Sequence, residues 1–323
     1  MMHRTTLTSL QRGCLQRRRQ FISHFSSSSA SEDEPPEDSA TIIQGPSLLT
    51  MTGVHRPSPS LFHLPGLRSL PFWTAPESNI DDQAQKNRRH RVAFNDRMVS
   101  AAIDYVESNY ESIRAEYFTS VLGQGRDNDL DSGKVLKPLE PDYDVASKGG
   151  EHANDALHKG NWDWHSYVLN GKRNERFKER CPKTADVIDT LEKEGLLFGT
   201  PFGFAFFSTL HGNSSIQAHA GPMNLRLRMH LPLIVPTKTD DAESQSRPTT
   251  GIRVGDQIRE WNEGKAMILD DSYVHEVWNN ANLPRVLLLL DLWHPDIRTE
   301  ERQKISNMFS YAKEKGWIGQ AKN

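Results

Sequence analysis

From Val99 to Tyr117 apolar side chains recur at steps of three and four: Val99, Ile103, Val106, Tyr110, Ile113 and Tyr117. That spacing lays one stripe along a helix of about 25 residues, closed by Leu122-Gly123. Trp162, Trp164 and Tyr167 suggest a short strand. Pro182 then opens a second helix whose apolar side includes Val187, Ile188 and Leu191. After Gly199 the runs shorten. Phe202 to Leu210, Leu225 to Val235, Gly251 to Val254, Ala266 to Leu269, Tyr273 to Trp278 and Arg285 to Trp293 read as strands, most of them separated by Gly, Pro, Asn or Asp. Asn279-Asn280-Ala281-Asn282 joins the last two as a hairpin. Several short strands without intervening helices predict an all-β sandwich or jelly roll. The expected fold is mainly β, with helices N-terminal to it, and no internal repeat is visible.

The remaining stretches lack such periods. Residues 1–31 hold Arg4, Arg12, Arg17, Arg18 and Arg19, seven serines and no acid. An Arg-rich, Ser-rich, acid-free start reads as an organelle transit peptide, mitochondrial before plastid, with a disordered basic tail as the alternative. A cytoplasmic location is the third choice. No apolar run follows that would make a secretory signal. Glu32 to Asp38 is acidic and carries Pro35-Pro36, the composition of a solvated linker. From Gly45 to Pro76 prolines and glycines alternate with apolar residues, as in an extended segment laid over a domain surface. Residues 123–160 read as a long loop, long enough to act as a lid. The expected divisions are 1–31 transit peptide, 32–60 linker, 61–200 helical and loop region, 201–298 β-rich catalytic core and 299–323 helical tail.

Composition changes this picture little. The 323 residues have a formal charge of −3 and are 36% hydrophobic, as in an ordinary globular protein. No basic excess marks a nucleic-acid partner. The longest purely apolar run, Val286 to Leu290, is far short of the roughly 20 residues a membrane helix needs. Two cysteines, Cys14 and Cys181, make no disulfide framework. Oligomeric state is not legible.

Candidate chemistry gathers in the β-rich half. Along residues 225–235 parity puts Leu225, Leu227, Met229, Leu231, Leu233 and Val235 on one face, and Arg226, Arg228 and His230 on the other. The second face either meets water or lines a pocket containing an anion, because unpaired buried guanidinium is costly. His219 precedes this strand, across a Gly221-Pro222 turn. His275 lies on a later strand, and Arg285 follows ten residues on, across the hairpin. Two histidines from separate strands suit Fe(II) and leave coordination positions open. An arginine beside them can fix a distal carboxylate by paired charge-assisted bonds. Each residue also has a plainer reading. A lone histidine is usually structural, as His211 and His294 are expected to be. Asp270 and Asp271 could be ligands, yet an acidic pair just before a strand is more often a turn, and Arg285 could pair with Glu276 across the hairpin.

The residues His219-Ala220-Gly221-Pro222-Met223-Asn224-Leu225-Arg226-Leu227-Arg228-Met229-His230-Leu231, then Trp261-Asn262-Glu263-Gly264-Lys265, Asp270 to Trp278 and Asp291-Leu292-Trp293-His294-Pro295 closely resemble the aspartyl/asparaginyl β-hydroxylase family. Weaker echoes lie in Pro65-Gly66-Leu67, Pro71-Phe72-Trp73 and Cys181-Pro182-Lys183-Thr184. The resemblance implies a double-stranded β-helix, cupin-like, flanked by helices. It also implies dependence on Fe(II), 2-oxoglutarate and dioxygen. His219 and His275 would bind the metal, Arg285 and Ser208 the distal carboxylate of 2-oxoglutarate, and Arg228 and His230 its proximal carboxylate. Gly221 stands where many iron oxygenases carry a carboxylate ligand, so the family's two-histidine site with water is expected, with halide as a minority alternative. Enzymes of this family hydroxylate Asp or Asn side chains in proteins, and bacterial relatives act on lipid acyl chains or free amino acids. A peptidyl substrate is the first expectation, and a small molecule, free amino acid or lipid the second. A non-catalytic β-scaffold binding a partner around Trp162 and Trp164 is the third.

Overall fold

The structure, a computed structural model, describes residues 57–75, 92–93, 96–124, 137–144, 157–236 and 248–318. The chain divides into two units, Met1–Val54 and His55–Asn323, and every described residue lies in the second. The transit-peptide-like residues 1–31 and most of the expected linker fall outside the described residues. So do 125–136 and 145–156 of the expected loop.

The first helical stripe forms as α1 (Arg97–Ser108), α2 (Tyr110–Glu116) and a π-turn over Tyr117–Val121. Asp96 starts it by accepting from the Val99 amide at 3.0 Å. The expected single helix is interrupted at Asn109, whose side-chain amide donates to the Tyr105 carbonyl at 2.8 Å. Helices α3 (Glu175–Arg180) and α4 (Pro182–Lys193) follow. Glu116 of α2 receives the Lys183 and Thr184 amides, both at 2.8 Å, at the N-terminus of α4. These helices cover one large sheet. Tyr117 donates to or accepts from Thr209 at 2.9 Å, and both Tyr117 and Phe177 pack on Phe207. A last helix, α5 (Thr299–Glu314), buries Phe309 against the end of the molecule.

The strands are β1 (Tyr143–Asp144), β2 (His158–Lys159), β3 (Trp162–Leu169), β4 (Lys172–Arg173), β5 (Ala205–Leu210), β6 (Ser214–His219), β7 (Arg226–Ile234), β8 (Thr250–Val254), β9 (Gln257–Arg259), β10 (Met267–Leu269), β11 (His275–Asn279) and β12 (Arg285–Trp293). They form two antiparallel sheets. One is ordered β1-β3-β5-β12-β7-β10 with β4 on the β3 edge, the other β2-β6-β11-β8-β9. This is the expected jelly roll, mainly β and flanked by helices. The strand expected to start at Tyr273 begins at His275, since Tyr273 closes a turn anchored by Asp270. β6 was not foreseen.

Register defines the inward face of the large sheet. Leu287 opposes Ser208 and Pro232, Leu289 opposes Phe206 and His230, and Asp291 opposes Arg228. Trp162 and Trp164 continue the face onto β3. Between the sheets lies an apolar core including Leu210, Ile216, Ile252, Trp261, Leu269 and Leu287. An extended strap, residues 57–75, crosses the open end. Its Ser58 amide donates to Ser272 O, Ser60 to Gly221 O, Phe62 to Pro222 O and Trp73 to Ile268 O, while Pro71 O accepts from Asp270. The proline-rich segment is therefore extended because its hydrogen bonds are satisfied by other loops rather than locally.

Candidate active site

His219 ends β6, His275 begins β11, and the two are direct cross-strand partners. Their ring centres are 4.2 Å apart, with planes tilted by 54°. Nδ1 of His219 lies 2.7 Å from the Gln217 carbonyl, and Nδ1 of His275 lies 2.9 Å from the Tyr273 carbonyl. A carbonyl only accepts, so each Nδ1 carries the proton and each Nε2 keeps its lone pair. Burial lowers the pKa of both, that of His275 to about 3 with the help of its neighbour His219. Two neutral imidazoles, each oriented by a second hydrogen bond, could supply two of the donors a divalent metal takes. Among the described residues no group of three or more His, Cys, Asp or Glu could hold a metal.

Both histidines line a narrow cavity between the sheets, of about 40 Å3, with Ser208, Arg228, His230, Arg285, Trp162 and several aliphatic side chains. All six residues singled out from the sequence are thus brought together. Arg285 is only 1% exposed, its Nε has no hydrogen-bond partner, and burial lowers its pKa to about 9. Glu276, the alternative partner, pairs with Arg253 instead at 3.1 Å. Ser208 Oγ accepts from the indole N–H of Trp162 at 2.9 Å, which places Trp162 inside the molecule. That corrects the expectation of a partner-binding surface there. Trp164 stacks on Phe206 at 4.5 Å.

Arg226 and Arg228 answer the parity question differently from expectation. Their face lines a pocket, but the anions are the chain's own. Arg228 Nε donates to Asp291 at 2.8 Å and its Nη1 lies 3.3 Å from Asp271. Arg226 bonds Asp271 and Asp291, both at 2.7 Å, and donates to the Phe202 carbonyl. Burial alone would raise the Asp271 pKa, but Arg226 and Arg228 override it and hold the carboxyl ionised. Asp270 forms the expected turn by accepting from Ser272. Asp271 instead fills the space beside Gly221, where an added Cβ would lie 2.6 Å from its Oδ2. The sequence reading missed Asp271 and Asp291. Parity along β12 could have found Asp291, because it shares a face with Arg285. Asp271 has no comparable local signal. His211 and His294 are structural as expected, bonded to Asp163 and to the Arg68 carbonyl.

A family model described as aspartyl/asparaginyl beta-hydroxylase matches residues 107–295. The human aspartyl/asparaginyl beta-hydroxylase is 28% identical over 248 residues, which are 76% of this chain and 26% of that protein. The chain therefore spans about a quarter of that relative's length. The ornithine lipid ester-linked acyl 2-hydroxylase of Rhizobium tropici is 36% identical over 192 residues, 59% of this chain and 56% of that one. Among solved structures, a prolyl hydroxylase from Trichoplax adhaerens aligns with a TM-score of 0.33 and 13% identity, covering 69% of this chain and 96% of that one. That likeness is too distant to bear on the site. The family match is another matter, for residues 107–295 contain both histidines, Arg226, Arg228 and Arg285, and the aspartates Asp271 and Asp291. The chain belongs to the aspartyl/asparaginyl beta-hydroxylase family.

Proposed function

We propose that this protein is an Fe(II)- and 2-oxoglutarate-dependent dioxygenase that hydroxylates an Asp- or Asn-type peptidyl side chain. One observation carries the reading: the buried guanidinium of Arg285, with no ion-pair partner among the described residues, shares a cavity with two histidines whose Nε2 atoms keep their lone pairs. A buried cation without a counter-ion is stable only where an anion arrives. His219 and His275 would hold the metal, and Arg285 with Ser208 the distal carboxylate of the keto acid. His230 would donate to the proximal carboxylate. Arg228, already held by Asp271 and Asp291, would add positive potential and at most a shared hydrogen bond. Bound together, iron and keto acid supply the oxidising power to insert one atom of dioxygen into a C–H bond, the other entering succinate as carbon dioxide leaves. The protein's part is orientation, a dry cavity and charge balance. Water is favoured over halide, since the carboxylate of Asp271 already occupies the space beside Gly221.

The 36% identity to a lipid acyl 2-hydroxylase supports a second reading, the same site acting on a lipid or another small molecule. Incubation with Fe(II), 2-oxoglutarate and isotopically heavy dioxygen separates the two. Peptides bearing Asp or Asn are expected to gain one heavy oxygen atom, with one succinate formed per product. Gain on acyl lipids alone would transfer the assignment to the second reading. Succinate formation from neither, with no labelled product, would contradict both.

A further inference from the structure

Trp261 lies between β9 and β10, outside both hydrogen-bond ladders, and is buried in the core between the sheets. It touches two polar groups of the cavity. Its Nε1 is 3.3 Å from Nδ1 of His230, with the rings tilted by 42°. The guanidinium carbon of Arg285 lies 5.0 Å from its ring centre. An indole N–H can only donate, so Nδ1 of His230 must offer a lone pair. A neutral imidazole then carries its proton on Nε2, and His230 lines the cavity. Arg285, for its part, has the negative face of an aromatic ring where its neighbours Arg226 and Arg228 have carboxylates.

We propose that Trp261 is a positioning residue of the cosubstrate pocket, setting the His230 tautomer that donates into the cavity and holding Arg285 in place without neutralising it. The inference rests on the reading that 2-oxoglutarate occupies this cavity. A carboxylate at the same place would hold Arg285 equally well but cancel the charge that attracts the keto acid. A ring holds the cation and leaves its charge available. The two contacts are separable, because Trp261→Phe keeps a ring face and loses the N–H, while Trp261→Leu loses both.

Two measurements test this. In nitrogen-resolved NMR of the metal-free protein, His230 should be protonated on Nε2, and Trp261→Phe should mix the tautomers. In calorimetric titrations with Mn(II) present, 2-oxoglutarate should bind roughly fivefold more weakly to Trp261→Phe. Binding to Trp261→Leu should weaken on the order of fiftyfold. With 2-oxobutyrate, which lacks the distal carboxylate, both variants should lose affinity equally. A wild-type His230 protonated on Nδ1 would overturn the tautomer role. Equal 2-oxoglutarate affinity in the Phe and Leu variants would overturn the Arg285 role. If Trp261→Leu does not fold, Trp261→Phe still decides, since unchanged tautomer and affinity there overturn the proposal. Wild-type protein that binds no 2-oxoglutarate would sink the cosubstrate reading, and the tautomer measurement would still judge Trp261.

Discussion

Arg285 holds a positive charge in the interior with no carboxylate of the described residues beside it, whereas Arg226 and Arg228 share Asp271 and Asp291. This difference separates a binding group from a structural one. Replacing Arg285 with Met should raise the stability of the ligand-free protein by about 1–3 kcal/mol, because a desolvated charge is removed and its volume kept. The same variant should lose 2-oxoglutarate binding. Urea denaturation and titration of one preparation check both halves, and a less stable Arg285→Met would argue that the guanidinium is structural. His275 gives a pH prediction. Burial, then His219, lowers its folded pKa from 6.5 to about 3. The unfolded chain takes up the proton first, so this contribution is complete above 6.5 and is lost as pH falls toward 3. His275→Gln should flatten the dependence of the melting temperature on pH across that window; an unchanged slope would reassign it. Of these residues, His219, His275 and Arg285 were legible because their spacing and charge are unusual on strands. Asp291 shares parity with Arg285 but was overlooked, because Val286 to Leu290 between them is apolar at every position and buried on both faces, which masks a period of two.

At the level of elements, the loops beside the two histidines are hydrogen-bonded to the strap over residues 57–75. Both the Gly221-Pro222 turn after His219 and the Ser272 turn before His275 receive its backbone donors. A chain beginning at Leu64 loses the donors of Ser58, Ser60, Leu61 and Phe62 but neither sheet. Its Fe(II) affinity should drop roughly tenfold while its far-ultraviolet spectrum stays native; unchanged affinity would show that the loops hold themselves. The strap was recognisable as extended from its prolines, although its partners were not, since most of them lie some 160 residues away or more. The strands from β5 to β12 were mostly legible from short apolar runs bounded by turn residues. β6 escaped because Ser214-Ser215-Ile216-Gln217-Ala218-His219 carries one large apolar side chain and lies half exposed. Only its pairing with β11 and β2 makes it a strand. The break at Asn109 escaped for a different reason, because the apolar stripe continues across it from Val106 to Tyr110 and Ile113.

Across the whole molecule the site is held by both sheets at once: His219 and His275 come from one, and Arg228, His230, Ser208 and Arg285 from the other. Ligands that span the gap should therefore stabilise the entire fold. At roughly a hundred times their dissociation constants, metal and keto acid should add about 2.7 kcal/mol per bound species, read as a concentration-dependent rise in melting temperature. No rise with 2-oxoglutarate would contradict a cavity built for it. The sequence could name the family because its motifs are long, yet the pairing of the sheets that makes one cavity from six scattered residues follows only from register. The most direct measurement is the visible spectrum under anaerobic conditions as Fe(II) and then 2-oxoglutarate are added. The account predicts a metal-to-ligand charge-transfer band in the wild-type protein, lost in His275→Ala and absent in Arg285→Met at the same keto-acid concentration. A wild-type protein that shows no band at saturating Fe(II) and 2-oxoglutarate would contradict it.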